Sequence, residues 1–284
     1  MKLTNPGSEV YVPDGTEPRR ALERTTHLGI AAHPDDLELM AAHGVFACLG
    51  QAHRHFAGVV LTDGTSSPRG GRYAAYNDEQ MQLVRRHEQK KAAHVGEYGA
   101  VVMLDYPSEV VKDPQMTSVV DDLFEILSIA QPQVVYTHNL ADKHDTHVAT
   151  ALRAIAALRR LPADARPEHV LGCEVWRDLD WLPDSEQICL DLSGHESLAT
   201  GLLAVYDSQI SGGKRYDRAA MGRRQAHATF RDVDAVDTRT SLALAMDLTP
   251  LIKGEMRSPR EYVERRINAF AEDVRDRIYR MGVV

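Results

Sequence analysis

The chain has 284 residues, of which 43% are hydrophobic and 26% charged, a balance typical of a globular protein with a substantial core. Its formal net charge of −8 at pH 7 argues against a nucleic-acid binder that works by neutralising phosphates. Because no apolar run reaches the roughly 18 residues of a membrane helix and the first 20 residues lack a signal-peptide core, we expect a cytoplasmic protein without a membrane span.

The predicted elements alternate along the chain. Residues 1–25 are polar and contain three prolines, which favours an N-terminal arm or a small hairpin. Beyond this arm, apolar β-rich runs alternate with helical patterns, which predicts an α/β fold with βαβ units around a mostly parallel sheet. We predict strands at 27–32, 56–62, 100–104, 133–137, 170–176 and 186–191. We predict helices at 37–49, 79–95, 117–130, 147–160, 195–206, 215–227 and 258–281.

A dense polar cluster follows the first of these strands. The apolar run ends in Ala32-His33-Pro34-Asp35-Asp36, directly before the helix predicted from Leu37. In open α/β sheets, ligands bind at the carboxyl ends of strands. The position of His33, Asp35 and Asp36 therefore indicates a site for a metal, a proton or a substrate.

A second cluster follows the fourth predicted strand. It runs from His138 to His147 and includes Asp142, His144 and Asp145. His144 and His147 are three residues apart at a helix entrance, so they can share a face.

If the two strands are near neighbours, the clusters converge and bring together His33, Asp36 and His147. Two histidines and one carboxylate, with positions left for water, suit a catalytic zinc and are also compatible with non-haem iron.

Each residue also has a simpler interpretation. A single histidine in a turn is usually a surface or capping residue, and Asp35 or Asp36 alone could be the N-cap of the next helix. The second cluster alone could be a polar loop before a capped helix. Two His/Asp clusters, both after strands, favour the metal site over these alternatives.

The first cluster resembles a known family signature. Ala32-His33-Pro34-Asp35-Asp36-Leu37-Glu38 is similar to the AHPDDxE motif of the LmbE-like (PIG-L) deacetylases, which are metal-dependent N-acetylglucosaminyl deacetylases. Asp142-x-His144-x-x-His147 resembles their second motif, DxHxDH. Thr62-Asp63-Gly64, Arg85-x-x-Glu88 and Ser208-Gln209 resemble further elements of the family.

The resemblance implies a Rossmann-like three-layer fold with a mostly parallel sheet. It covers residues 26–210, which we expect to be the deacetylase core. We expect residues 1–25 to be an N-terminal arm and residues 211–284 to be a C-terminal helical extension of the same domain. This extension could carry the subunit contacts of a homo-oligomer or form a wall of the pocket.

The resemblance also implies roles for the motif residues. His33, Asp36 and His147 would hold Zn²⁺, with another divalent metal such as Fe²⁺ as the alternative. Asp35 would be the general base, and His144 would protonate the leaving amine or support the oxyanion. The implied substrate is a small acetylated amino sugar or its conjugate, cleaved at the amide. The sequence has no glycine-rich phosphate loop of the GxxxxGK(S/T) or GxGxxG type, so no nucleotide cofactor is expected.

The chain departs from the family in its second motif. Family members carry Pro-Asp between the two histidines, whereas this chain has Asp145-Thr146. The carboxylate that orients the first histidine of the motif is therefore displaced, and either Asp145 or Asp142 could take over its task.

Substrate contacts are less legible in the sequence. Arg85 matches a family position associated with substrate hydroxyls, although an arginine on an exposed helix is usually solvated. Trp176 could stack on a sugar or pack in the core, and Asp142 and Asp145 are further candidates. A hydrolase of another amide or ester, or a non-catalytic sugar-binding relative, remains an alternative function.

Overall fold

The structure is a computed structural model that describes residues 1–282. In this range the strands are β1 (Glu9–Tyr11), β2 (His27–Ala31), β3 (Phe56–Thr62), β4 (Ala100–Tyr106), β5 (Val134–His138), β6 (His169–Cys173), β7 (Gln187–Asp191) and β8 (Leu242–Asp247). The helices are α1 (Pro18–Glu23), α2 (Asp36–Met40), α3 (Ala42–Cys48), α4 (Asp78–Val95), α5 (Ser108–Lys112), α6 (Ser118–Ala130), α7 (Asp145–Arg160), α8 (Glu196–Ala204), α9 (Asp207–Ile210), α10 (Tyr216–Thr229), α11 (Thr249–Lys253) and α12 (Pro259–Arg280).

All these strands join one sheet in the order β1-β4-β3-β2-β5-β6-β8-β7. The central five, from β4 to β6, are parallel, while β1 and β8 run antiparallel to their neighbours. The chain leaves β2 toward β3 and β4, and later leaves β5 in the opposite direction toward β6. The boundary between β2 and β5 is thus a topological switch point, where ligands bind in open α/β sheets.

The predicted α/β class and mostly parallel sheet are confirmed, since each predicted strand and helix is present with shifted ends. The helix predicted over 37–49 is divided at Ala41 into α2 and α3. The N-terminal arm is part of the folded domain, because β1 pairs with β4 and α1 follows β1.

One expectation about the C-terminal segment is wrong. Residues 211–284 are not only helical, because β8 lies in the sheet between β6 and β7. Its sequence, Leu-Ala-Leu-Ala-Met-Asp, consists mostly of good helix formers. Pairing with two strands that are distant in sequence overrides this local preference. No local sequence pattern reveals that pairing.

Helices cover both faces of the sheet, and side chains alternate between two cores. Leu28 and Ile30 of β2 belong to the core formed with α1, α6 and α7, whereas Ala31 belongs to the core formed with α2, α3 and α8. Burial of β2 on both faces explains its apolar run.

A pair of glycines brings α2 close to the sheet. Gly29 and Gly58 are register partners on β2 and β3, and a Cβ at either position would overlap the side chain of Leu37. Leu37 therefore fills the space above both glycines and fixes the start of α2, which carries Asp36.

No helix among residues 1–282 is long and apolar enough to cross a membrane.

Candidate metal centre

The two polar clusters meet at the switch point. His33 to Asp36 follow β2, and His138 to His147 follow the adjacent strand β5. Because parallel neighbours end at the same edge of the sheet, residues 114 positions apart in sequence come into contact.

Three candidate ligand atoms converge at this edge. His33 Nδ1 lies 3.1 Å from His147 Nε2 and 3.1 Å from Asp36 Oδ2, and the latter two atoms are 3.3 Å apart. Tetrahedral ligands at about 2.0–2.1 Å from a zinc ion are roughly 3.3 Å from one another. The three atoms are therefore spaced to hold one cation. His147 is fully buried and the His33 side chain is 22% exposed, so the group is open on one side.

Two other groups of three residues in the described part of the chain could also hold an ion. One joins His144 to His33 and His147, and the other joins His138 to Asp36 and His147. We favour His33, Asp36 and His147 over the second group because His138 Nε2 already accepts a hydrogen bond from the backbone N–H of Ala32 at 2.9 Å. If His138 bound the ion through Nε2, this buried N–H would lose its partner.

The charges at the centre favour a cation. Burial alone would raise the pKa of Asp36, but the positive charge on His147 holds it well below its usual range. Burial alone would lower the pKa of His147, but the carboxylates of Asp36 and Asp142 raise it to about 9. The buried carboxylates thus stabilise positive charge at this point, whether a proton or a metal ion supplies it.

Asp142 lies behind His147. Its side chain is fully buried, and its Oδ2 is 3.5 Å from His147 Nδ1, an ion-pair contact slightly too long for a hydrogen bond. The carboxylate also accepts hydrogen bonds from the backbone N–H groups of His144 and Trp176, which fix its orientation. The motif predicts that Asp142 or Asp145 orients its first histidine, His144, but the Asp142 side chain lies against the second, His147. Asp145 is exposed at the start of α7.

Asp35 has a strained backbone and a charged partner. Its φ of 96° is in the left-handed region, which residues other than glycine rarely adopt and which costs free energy. Its Oδ2 accepts a hydrogen bond from Arg85 at 2.8 Å. Burial raises the pKa of Asp35 to about 6, despite the opposing charge of Arg85. The carboxylate is therefore mainly ionised at neutral pH and can accept a proton.

Arg85 differs from the solvated arginine that an exposed helix would carry. Only 1% of it is exposed. Its guanidinium donates to the carbonyl of Pro34 and pairs with Asp35 and with Glu88 at 3.2 Å. Glu88 in turn accepts hydrogen bonds from the backbone and hydroxyl of Ser208. The Arg-x-x-Glu and Ser-Gln elements of the sequence thus form one buried network that supports the Asp35 loop.

His144 lies at the open side of the centre, with its ring centroid 4.8 Å from that of His33. Burial, together with the charges of His147 and His33, lowers the pKa of His144 to about 4. The imidazole is therefore neutral near pH 7 and can donate one hydrogen bond.

A cleft of about 430 Å³ opens beside the centre. Asp35, Arg85, His144, Trp176 and Tyr216 line it, together with residues 66–68 of the loop after β3. Trp176 is 37% exposed, so the interpretation of this residue as a core side chain is wrong.

No role was assigned from the sequence to two buried residues of the polar clusters, His138 and Glu38. His138 ends β5, is fully buried, and stacks on His147 with 3.9 Å between ring centroids. Glu38 accepts hydrogen bonds from the hydroxyl groups of Tyr98 and Tyr206, both at 2.7 Å. The position of His138 at a strand end, as the first residue of the second cluster, was the available signal. The partners of Glu38 are 60 and 168 residues away and leave no local pattern.

Comparisons with known proteins agree with this geometry. The profile of a family described as "PIG-L: GlcNAc-PI de-N-acetylase" matches residues 28–158. A protein of Escherichia coli (strain K12), described as the uncharacterized deacetylase YaiS, is 29% identical over 147 residues, which are 50% of this chain and 72% of the relative.

Solved structures are similar over most of the chain. The N,N'-diacetylchitobiose deacetylase from Pyrococcus horikoshii has 17% identity and a TM-score of 0.60, over 78% of this chain and 83% of that one. GalB, the 4-carboxy-2-hydroxymuconate hydratase from Pseudomonas putida KT2440, has 17% identity and a TM-score of 0.59, over 80% of this chain and 96% of the hydratase chain. These likenesses show the fold, and the hydratase shows that the fold serves more than one reaction.

Proposed function

The chain belongs to the PIG-L (LmbE-like) family of deacetylases, and on this premise we propose that it removes the N-acetyl group from an N-acetylglucosamine-type sugar or conjugate. The observation that carries the proposal is the convergence of His33, Asp36 and His147 within 3.1–3.3 Å at the wall of an open cleft. A sugar-binding relative without activity would need neither Asp35 nor His144 at that wall.

His33, Asp36 and His147 would hold the metal, and the fit rests on their donor types and spacing. Two imidazoles and one carboxylate are a ligand set of catalytic zinc sites and of non-haem Fe²⁺ sites. When bound, such an ion polarises the amide carbonyl and makes water more acidic. Asp142 would orient His147 through Nδ1, which leaves Nε2 for the ion.

Asp35 would be the general base. It lines the cleft, and its pKa of about 6 leaves it ionised at neutral pH. It would take a proton from the water that attacks the acetyl carbon. Arg85 would hold the carboxylate in place through their ion pair. The positive charge of Arg85 opposes the effect of burial and so limits the rise in the pKa of Asp35.

His144 would act on the acetyl oxygen. Its low pKa favours oxyanion support by a neutral N–H over protonation of the amine, because a general acid must carry the proton that it gives. The C–N bond of the amide then breaks, and the proton held by Asp35 is available to the departing amine. The products are acetate and a free amino sugar.

Acetate release from N-acetylglucosamine and its simple glycosides tests the proposal. We expect turnover by the metal-loaded protein, and a kcat lower by about 100-fold or more in Asp35→Asn with unchanged metal content. Turnover of simple esters or other amides, with no release of acetate from any acetylated amino sugar, would assign the same centre to a different hydrolase. Full activity of Asp35→Asn would contradict the role of the base.

A further inference from the structure

A second, smaller cavity adjoins the cleft. Its volume is about 140 Å³, and it lies between α2, the end of β6, α10 and β8. Trp176 and Tyr216 line both the cavity and the cleft. Their rings meet edge to face with centroids 6.1 Å apart, so they form a common wall.

The cavity has an apolar lining. Leu39 and Met40 of α2, Val175 after β6, Ala220 of α10 and Ala243 of β8 contribute side chains without hydrogen-bonding atoms. The small side chains on α10 and β8 leave the space that larger ones would fill.

The charged side chains at the cavity are all engaged with the protein. Both carboxylate oxygens of Glu174 accept hydrogen bonds from the protein, including the backbone N–H of Leu244. Arg224 donates to the carbonyls of Glu38 and Leu39, and Arg223 donates to the carbonyl of Val175. A polar ligand would therefore find few free hydrogen-bonding groups there. An apolar group could enter without breaking the hydrogen bonds of these charged side chains.

We propose that this cavity binds an apolar aglycone, an aryl or short alkyl group, of the sugar whose amide is cleaved in the cleft. The inference rests on the proposed function for the identity of the sugar. The size fits, since an apolar engineered cavity of about 150 Å³ stays dry and binds benzene. Trp176 and Tyr216 line both spaces, so the cavity lies directly beside the cleft and is placed to receive the aglycone of a sugar that is held there.

The test compares acetate release from the phenyl and methyl glycosides of N-acetyl-β-D-glucosamine. We expect kcat/KM to be at least about tenfold higher for the phenyl glycoside, because the cavity removes the apolar phenyl ring from water. Ala220→Phe, which fills the cavity, should lower this ratio to about one. Gln225→Phe, the matched control on the exposed side of α10, should keep it. Ala220→Leu is the smaller change if Ala220→Phe does not fold.

A binding measurement separates this inference from the proposed function. Phenyl β-D-glucoside has no amide, and its ring protons should receive saturation transfer from the wild-type protein but not from Ala220→Phe. If neither acetylated glycoside is cleaved while this transfer is seen, the cavity assignment stands and the deacetylase proposal fails. Equal kcat/KM for both glycosides, or a phenyl preference that persists in Ala220→Phe, would overturn the cavity assignment.

Discussion

Replacement of Asp142 by asparagine should weaken both metal binding and the fold. The Asp142 carboxylate is fully buried and lies 3.5 Å from Nδ1 of His147. Asparagine keeps the size of the side chain but removes its negative charge. Without that charge, the imidazole of His147 is less basic and its ring is less firmly oriented.

The magnitude follows from two separate losses. Removing a carboxylate behind a ligating histidine costs about 10–100-fold in metal affinity, or roughly 1.4–2.7 kcal/mol. The asparagine side chain has a single oxygen, so in Asp142→Asn it can accept only one of the two hydrogen bonds from the N–H groups of His144 and Trp176. This second loss should lower the free energy of unfolding by about 1–3 kcal/mol.

Competition with a chromophoric chelator gives the zinc Kd, and urea unfolding of the metal-free protein gives the stability. Asp145→Asn is the matched control, because Asp145 is exposed in the same loop region. We expect its zinc Kd to remain within about twofold of wild type, as surface substitutions have small effects. A weakened Kd for Asp145→Asn with an unchanged Kd for Asp142→Asn would refute the assignment of Asp142 as the orienting carboxylate.

Three further predictions concern the supporting residues. Asp35→Asn should bind zinc normally, because asparagine tolerates the left-handed backbone. Its kcat should fall by about 100-fold or more, because asparagine cannot accept the proton. Measurement of kcat and metal content on the same sample checks both. Arg85→Met should lower the free energy of unfolding by about 3–5 kcal/mol in urea, since two buried carboxylates lose their partner, and a loss below about 1 kcal/mol would contradict this. Burial raises the pKa of Glu38 from its usual 4.5 to about 7, so the folded state holds this proton more tightly than the unfolded state. Wild type should therefore lose about 3 kcal/mol of stability relative to Glu38→Gln as the pH rises from about 4.5 through 7, and parallel pH profiles would contradict this.

The meeting of the two polar clusters could be predicted because strand ends are legible in the sequence. Apolar runs that stop at Ala32 and Thr137 place both loops at the carboxyl edge of a parallel sheet. The sequence did not reveal that β2 and β5 are neighbours, since strand order depends on pairing between distant segments. The structure supplies this adjacency, and with it the 3.1 Å approach of His33 and His147.

The supporting contacts could not be predicted for the same reason. Arg85 lies on a helix with polar neighbours, and its burial results from Asp35 and Ser208, which are 50 and 123 residues away. Periodicity predicts which face of a helix is apolar, but it does not predict which charged side chain finds buried partners. The exposure of Trp176 could not be predicted either, because it depends on how α10 packs across the cleft.

The metal centre itself can be tested most directly by anomalous diffraction from crystals grown with zinc. We expect one strong peak at bonding distance, about 2.0–2.2 Å, from His33 Nδ1, Asp36 Oδ2 and His147 Nε2. A peak bound instead by His138, or the absence of any peak between the loops after β2 and β5, would contradict it.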